Sequence, residues 1–226
     1  MTKGNYRQHR FAPPADAAEL ILVRHGASAE MGPGIVWDLT PDGYGDPDLS
    51  PEGEEQARAV AARLERWGVD AVFVTPLRRT AQTAAPLLAA TGLEARVVPE
   101  LVEVHMGEWE VDGEHRRRVA DNDPLVVRAL VEERWEILPG GERMEDLHAR
   151  VRRGVVEVAA AVGPGRRGAC FTHGGIVGEI CHLAVASRPF AFVHCDNCSL
   201  TRVVCHADGT WQLRDFNDTA HLEDLD

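Results

Sequence analysis

The sequence predicts a three-layer α/β/α sandwich: a mostly parallel sheet of about six strands with helices on both faces. Three observations lead there. Short apolar runs of strand length alternate with longer segments whose apolar residues fall at helical spacing, the pattern of βαβ units. Two of those runs, Leu20 to Gly26 and Ala169 to Gly175, each deliver a histidine into a glycine turn. Strand ends of this kind are where ligands gather in open α/β sheets. At 226 residues and 44% hydrophobic content, the chain can bury one sizeable core without disulfides.

Taken in order, Leu20–Val23 reads as the first strand. Pro51 to Trp67 reads as a helix, with Ser50 as its N-cap and Glu54 in the first turn. Asp70–Thr75 is a second strand, Arg78 to Ala90 an alanine-rich helix, and Arg96–Val98 a short third strand. Arg143 to Val162 is helical, Gly168–Thr172 is the fourth strand, and Ile176 to Ala186 is a buried helix. Phe190–Val193, Leu200–Cys205 and Trp211–Phe216 read as closing strands around turns such as Asp208-Gly209. Two insertions interrupt the rhythm. Residues 31–48 are rich in glycine, proline and aspartate and read as a loop. Residues 111–141 hold helical pieces, including Asp123 to Trp135. Residues 1–18 read as a loose tail, since Pro13-Pro14 and small residues give it little to bury. Residues 19–226 then form a single domain.

Charge and composition exclude several classes. A net charge of −12 argues against nucleic-acid binding, which needs a basic face. No apolar stretch approaches the ~18 residues that cross a membrane, and the polar start leads into no signal-like apolar core. The cytoplasm is the expected location, and a homodimer is left open. The acidic balance also repels a phosphate ester at long range, so any attraction must be local. Arg116-Arg117-Arg118 and Arg152-Arg153 could hold a larger anion, although such runs are more often solvated helix faces. Cys195-x-x-Cys198 followed by Cys205-His206 has a zinc-like look. The spacing is short for zinc and the strand pattern splits Cys198 from Cys205, so the thiols read as reduced packing residues.

Arg24, at the end of the first strand, can fork onto two phosphate oxygens. The next residue, His25, is a nucleophile that works at neutral pH. His173 repeats the device on the fourth strand. Two strand-end histidines with such an arginine point to phosphoryl transfer through histidine.

Four segments resemble the histidine phosphatase superfamily, the group of cofactor-dependent phosphoglycerate mutases and broad-specificity acid phosphatases. They are Arg24-His25-Gly26, Thr75 to Ala84, Leu101 to Trp109 and Thr172-His173-Gly174-Gly175. The ending, Phe216 to Leu222, is also similar. The resemblance spans nearly the whole chain and implies a phosphoglycerate mutase-like fold. It implies His25 as the nucleophile, Glu103 as the acid/base and His173 as a second catalytic histidine. Arg24, Arg79, Ser28 and His173 would bind phosphate, and residues 111–141 would form a lid. Arg78 competes with Arg79, and Glu100 and Glu108 compete with Glu103; the family pattern selects Arg79 and Glu103. One departure stands out: Met31 occupies the position where relatives place a phosphate-touching asparagine.

His173-Gly174-Gly175-Ile176 resembles the phosphatase branch more than the mutase pattern, so hydrolysis of a small-molecule phosphomonoester is expected. Phosphoglycerate mutase-type transfer is the alternative, and a non-catalytic phosphate-binding module a second one. Neither a metal nor a cofactor is required, because the arginines supply the charge a cation would bring.

Overall fold

The computed structural model describes residues 11–30 and 37–225, apart from the side chains of residues 112, 113 and 224. Its elements run β1 (Ala18–Arg24), α1 (Pro51–Trp67), β2 (Ala71–Val74), α2 (Arg78–Thr91), β3 (Ala95–Val97), α3 (Glu114–Ala120), α4 (Pro124–Glu132), α5 (Met144–Val162), β4 (Arg167–Thr172), α6 (Gly174–Val185), β5 (Leu200–Cys205) and β6 (Trp211–Asp218).

β1 is apolar throughout its middle because successive side chains enter two different cores. Leu20 and Leu22 join a cluster with Val151, Val155 and Val158 of α5 and Ile176 and Ile180 of α6. Ile21 and Val23 join the opposite cluster, with Val60 and Leu64 of α1 and Ala84 and Leu87 of α2. Helices thus cover both faces of the sheet, as the sequence predicts.

The six strands lie in the order β3-β2-β4-β1-β5-β6. The β3–β2, β2–β4 and β4–β1 pairings are parallel. The β1–β5 and β5–β6 pairings are antiparallel, because β5 and β6 form a hairpin whose turn places Gly209 at φ 84°. The parallel half carries the carboxyl ends of β1, β2 and β4 to one edge.

α1 starts where Ser50 predicts it. The serine side chain accepts a hydrogen bond from Gly53 N at 3.1 Å, Pro51 opens the helix, and Glu52 and Glu54 face the positive end of its dipole. A cap of this kind contributes about 1 kcal/mol.

Several expectations need correction. Phe190–Val193 forms no strand: Phe190 packs on Trp135 with centroids 4.5 Å apart and Phe192 on Phe216 at 5.1 Å, so these apolar residues satisfy aromatic partners. β1 begins at Ala18, and both Ala17 and Ala18 are buried; the first ten residues lie outside the described ones. The helical stretch expected over Asp123 to Trp135 ends at Glu132, because Glu133 adopts φ 56°, and a 3-10 turn follows.

The five cysteines are unpaired and buried. Cys198 sits in the cluster under α1 and α2, whereas Cys195 and Cys205 sit in the other. Burial pushes the Cys198 and Cys205 thiols up to about 12 and Cys195 up to about 11. Among the described residues, no helix is long and apolar enough to cross a membrane.

Candidate active site

Arg24 and Thr172 are register partners at the ends of β1 and β4, so the residues that follow them, His25 and His173, emerge side by side. Their ring centroids stand 5.2 Å apart at 62°. The backbone amide of His25 donates to Thr172 O at 2.9 Å, continuing the parallel ladder one step into the turn. Beyond it the chain passes tightly against α1. A β-carbon on Gly26 would stand 2.5 Å from Gly53 O, and one on Gly53 would stand 2.0 Å from Ala27 O. Two glycines are therefore needed for this approach.

The His25 ring is fixed by its Nδ1, which donates to the carbonyl of Gly26 at 2.8 Å. Nε2 is left for chemistry. Burial, with Arg79 and Arg24 nearby, holds its pKa well below the ordinary histidine value, so the ring is neutral at pH 7. The same causes lower His173, led again by burial and Arg79. Nε2 of His173 lies 2.8 Å from Thr75 Oγ1, at the end of β2.

The turn leading into β5, the strand beside β1, secures both first-motif residues. Arg24 donates to the carbonyl of Cys195. Its own carbonyl accepts from Cys198 N at 2.9 Å, and the His25 carbonyl accepts from Asn197 Nδ2 at 2.8 Å. Asn217 in turn latches Asp196 through two hydrogen bonds. The familiar-looking chain ending thus braces the nucleophile turn.

Arg79 lies in the first turn of α2 and is 8% exposed. It donates to Gly45 O at 3.0 Å and stands 4.0 Å from Asp46. Burial pulls its pKa down to about 10, still a cation at neutral pH. Arg78 instead turns outward to Asp46, Asp38 and Asp48. The described part of the 31–48 loop therefore holds both arginines in place. Met31 lies outside the described residues. Ser28 keeps a buried hydroxyl with no partner among them, as does Nε of Arg24.

Glu103 keeps some exposure at a cavity wall, yet desolvation raises its pKa against the pull of the Val104 amide, Arg79 and Arg24. Gly175 makes its seat possible: a β-carbon there would stand 2.6 Å from Glu103 Oε1. Glu100 pairs with Arg153 at the surface and Glu108 is exposed. The structure thus brings Arg24, His25, Arg79, Glu103 and His173 together and leaves their three rivals outside.

Two contributors were not placed at this site by the sequence. Arg150 of α5 donates to the carbonyls of Glu100, Val102 and Glu103 at 2.8, 2.7 and 3.1 Å, and pairs with Glu142. It fixes the segment that carries Glu103. Arg116, from the 111–141 segment, stacks on Trp37 at 4.7 Å; desolvation and the nearby Arg24 lower its pKa. A cavity of about 510 Å³ opens here, with Arg24, Glu103 and Gly175 at its base and Arg116, Val126, Leu130 and Trp135 among its walls.

Comparison with known proteins supplies the family. Residues 20–219 match the family model of the histidine phosphatase superfamily (branch 1). A probable phosphoglycerate mutase GpmB of Yersinia enterocolitica is 29% identical over 91% of this chain and 95% of its own length. A bifunctional protein of Mycobacterium tuberculosis is 31% identical over 90% of this chain, which spans about half (54%) of that relative. Among solved structures, a mycobacterial glucosyl-3-phosphoglycerate phosphatase superposes with a TM-score of 0.70 at 27% identity, over 90% of this chain and 100% of that one. With all four motifs at one strand edge and the family model spanning nearly the entire sequence, the chain belongs to the histidine phosphatase superfamily.

Proposed function

We propose that the protein is a phosphomonoester hydrolase working through a phosphohistidine on His25, with no metal ion or cofactor in the reaction. The observation that carries this reading is the neutral His25 ring beside Arg24 and Arg79, with Nδ1 committed to Gly26. Substrate phosphate rests on both guanidinium groups, with the Ser28 hydroxyl and His173 completing the cradle. Thr75 donates to Nε2 of His173, which leaves Nδ1 protonated for a phosphate oxygen. His25 Nε2 forms the bond to phosphorus as the bond to the leaving oxygen breaks. The Glu103 carboxyl gives its proton to that oxygen. A water then attacks phosphorus, Glu103 takes the water's proton, and the P–N bond breaks to release phosphate. The arginines stabilise the spread charge of both in-line transition states.

Residues 111–141 act as a lid over this centre. Its walls are largely apolar, with Val119, Val126, Leu130, Trp135 and Leu138 facing the cavity. A leaving group with an apolar or aromatic body covers them better than a small polar one.

The test is phosphate release from p-nitrophenyl phosphate by wild type and His25→Ala, with 3-phosphoglycerate isomerisation assayed alongside. Release that vanishes in the variant and survives EDTA is expected. Isomerisation without release would move the protein to the mutase reading favoured by its GpmB relative. Phosphate binding with neither activity would make it a binding module.

A further inference from the structure

α5 and α6 pack together on one face of the sheet, and three donors unused by the proposed reaction converge between them. Glu179 and His182 lie one turn apart on α6, so they share a helix face. His148 comes from α5. One ligand atom from each of the three lies within 4.8 Å of the others, the one such group found among the described residues. The His148 and His182 ring centroids are 5.4 Å apart, and His148 Nδ1 donates to Glu179.

Two features go beyond packing. Glu179 is only 3% exposed, and its partner is an imidazole instead of a lysine or arginine. A carboxylate so buried calls for a compensating cation. Nδ1 of His182 is buried with no hydrogen-bond partner among the described residues, and a lone pair there is what a metal ligand needs. His148, the third donor, borders a cavity of about 600 Å³.

We propose that His148, Glu179 and His182 form a second site, which takes a divalent transition metal of the zinc class. Two imidazoles and a carboxylate suit Zn²⁺, and three protein ligands leave a fourth position for water. The ion joins the helix that begins beside His173 to the helix whose Arg150 holds the Glu103 segment. Its role is to hold these helices together, and it takes no part in the hydrolysis.

The full-length protein, stripped with EDTA and desalted, is titrated with Co²⁺ and then with Zn²⁺. One equivalent of Co²⁺ is expected, with visible d–d absorption and without a thiolate charge-transfer band. Zn²⁺ displaces it and raises the Tm. His182→Ala and His148→Gln should each weaken uptake by more than the roughly 10–100-fold typical of losing an outer-shell partner. Absence of stoichiometric uptake by wild type overturns the site, as does undiminished uptake by the variants. A thiolate band would assign the metal to cysteines and overturn it equally. If His182→Ala does not fold, His148→Gln decides alone, since that side chain is 31% exposed.

Discussion

The carboxyl group of Glu103 occupies space that a side chain on residue 175 would need: a β-carbon on Gly175 would stand 2.6 Å from Glu103 Oε1. The second glycine of Thr172-His173-Gly174-Gly175 thus leaves room for the group proposed as the acid. Gly175→Ala should push that carboxyl aside, at an overpacking cost of about 1–3 kcal/mol. We expect kcat to fall by up to about 10²-fold, the low end of a general acid's contribution, with KM little changed. Steady-state kinetics on an alkyl phosphate checks this.

Glu103→Gln should separate substrates by leaving group. Alkyl phosphates need a proton on the departing oxygen and should lose about 10²–10⁴-fold, whereas p-nitrophenyl phosphate should lose far less. Burial raises the Glu103 pKa, so the acid form persists to higher pH than in an exposed glutamate. Activity on alkyl phosphates should fall as pH rises through that value. Burial and the arginines lower His25, so its neutral form persists to lower pH than that of an exposed histidine. Paired pH–rate profiles on the two substrates read both effects.

Arg79→Ala should reduce kcat/KM by about 10²–10³-fold, the loss typical of one stabilising donor. Arg78→Ala should change it only a few-fold, because Arg78 spends its charge on Asp46, Asp38 and Asp48. Comparable losses in both variants would contradict this division.

Arg150→Ala should act on stability as well as rate. It strands three carbonyls and Glu142, with the arginine side chain only 12% exposed. Breaking such a buried pair costs about 3–5 kcal/mol, roughly 6–20 °C in Tm for a domain of this size. Thermal unfolding measures it, and an unchanged Tm would contradict the bracing role.

Much of this arrangement is written locally. Ser50 and Pro51 mark the start of α1, and the apolar runs before His25 and His173 mark the two strand ends. What stayed hidden depends on distant partners. Arg150 is separated from Glu103 by 47 positions and looks like any helix-face arginine. Phe190 to Val193 carry strand-like side chains, but Trp135 and Phe216 claim two of them. Arg116 sits in a charge run whose ordinary reading is a solvated face, and only the fold brings it near Arg24. Glu179 and His182 attract no notice in the sequence, because the third member of their cluster, His148, is supplied by another helix.

The most direct test of the proposed mechanism is to trap the phosphoenzyme by rapid acid-free quench with a radiolabelled phosphomonoester and map the label. A phosphoramidate that survives base, decays in acid and lies on His25 is the expected result, absent from His25→Ala. Full turnover by His25→Ala, or a label on another residue, would contradict it.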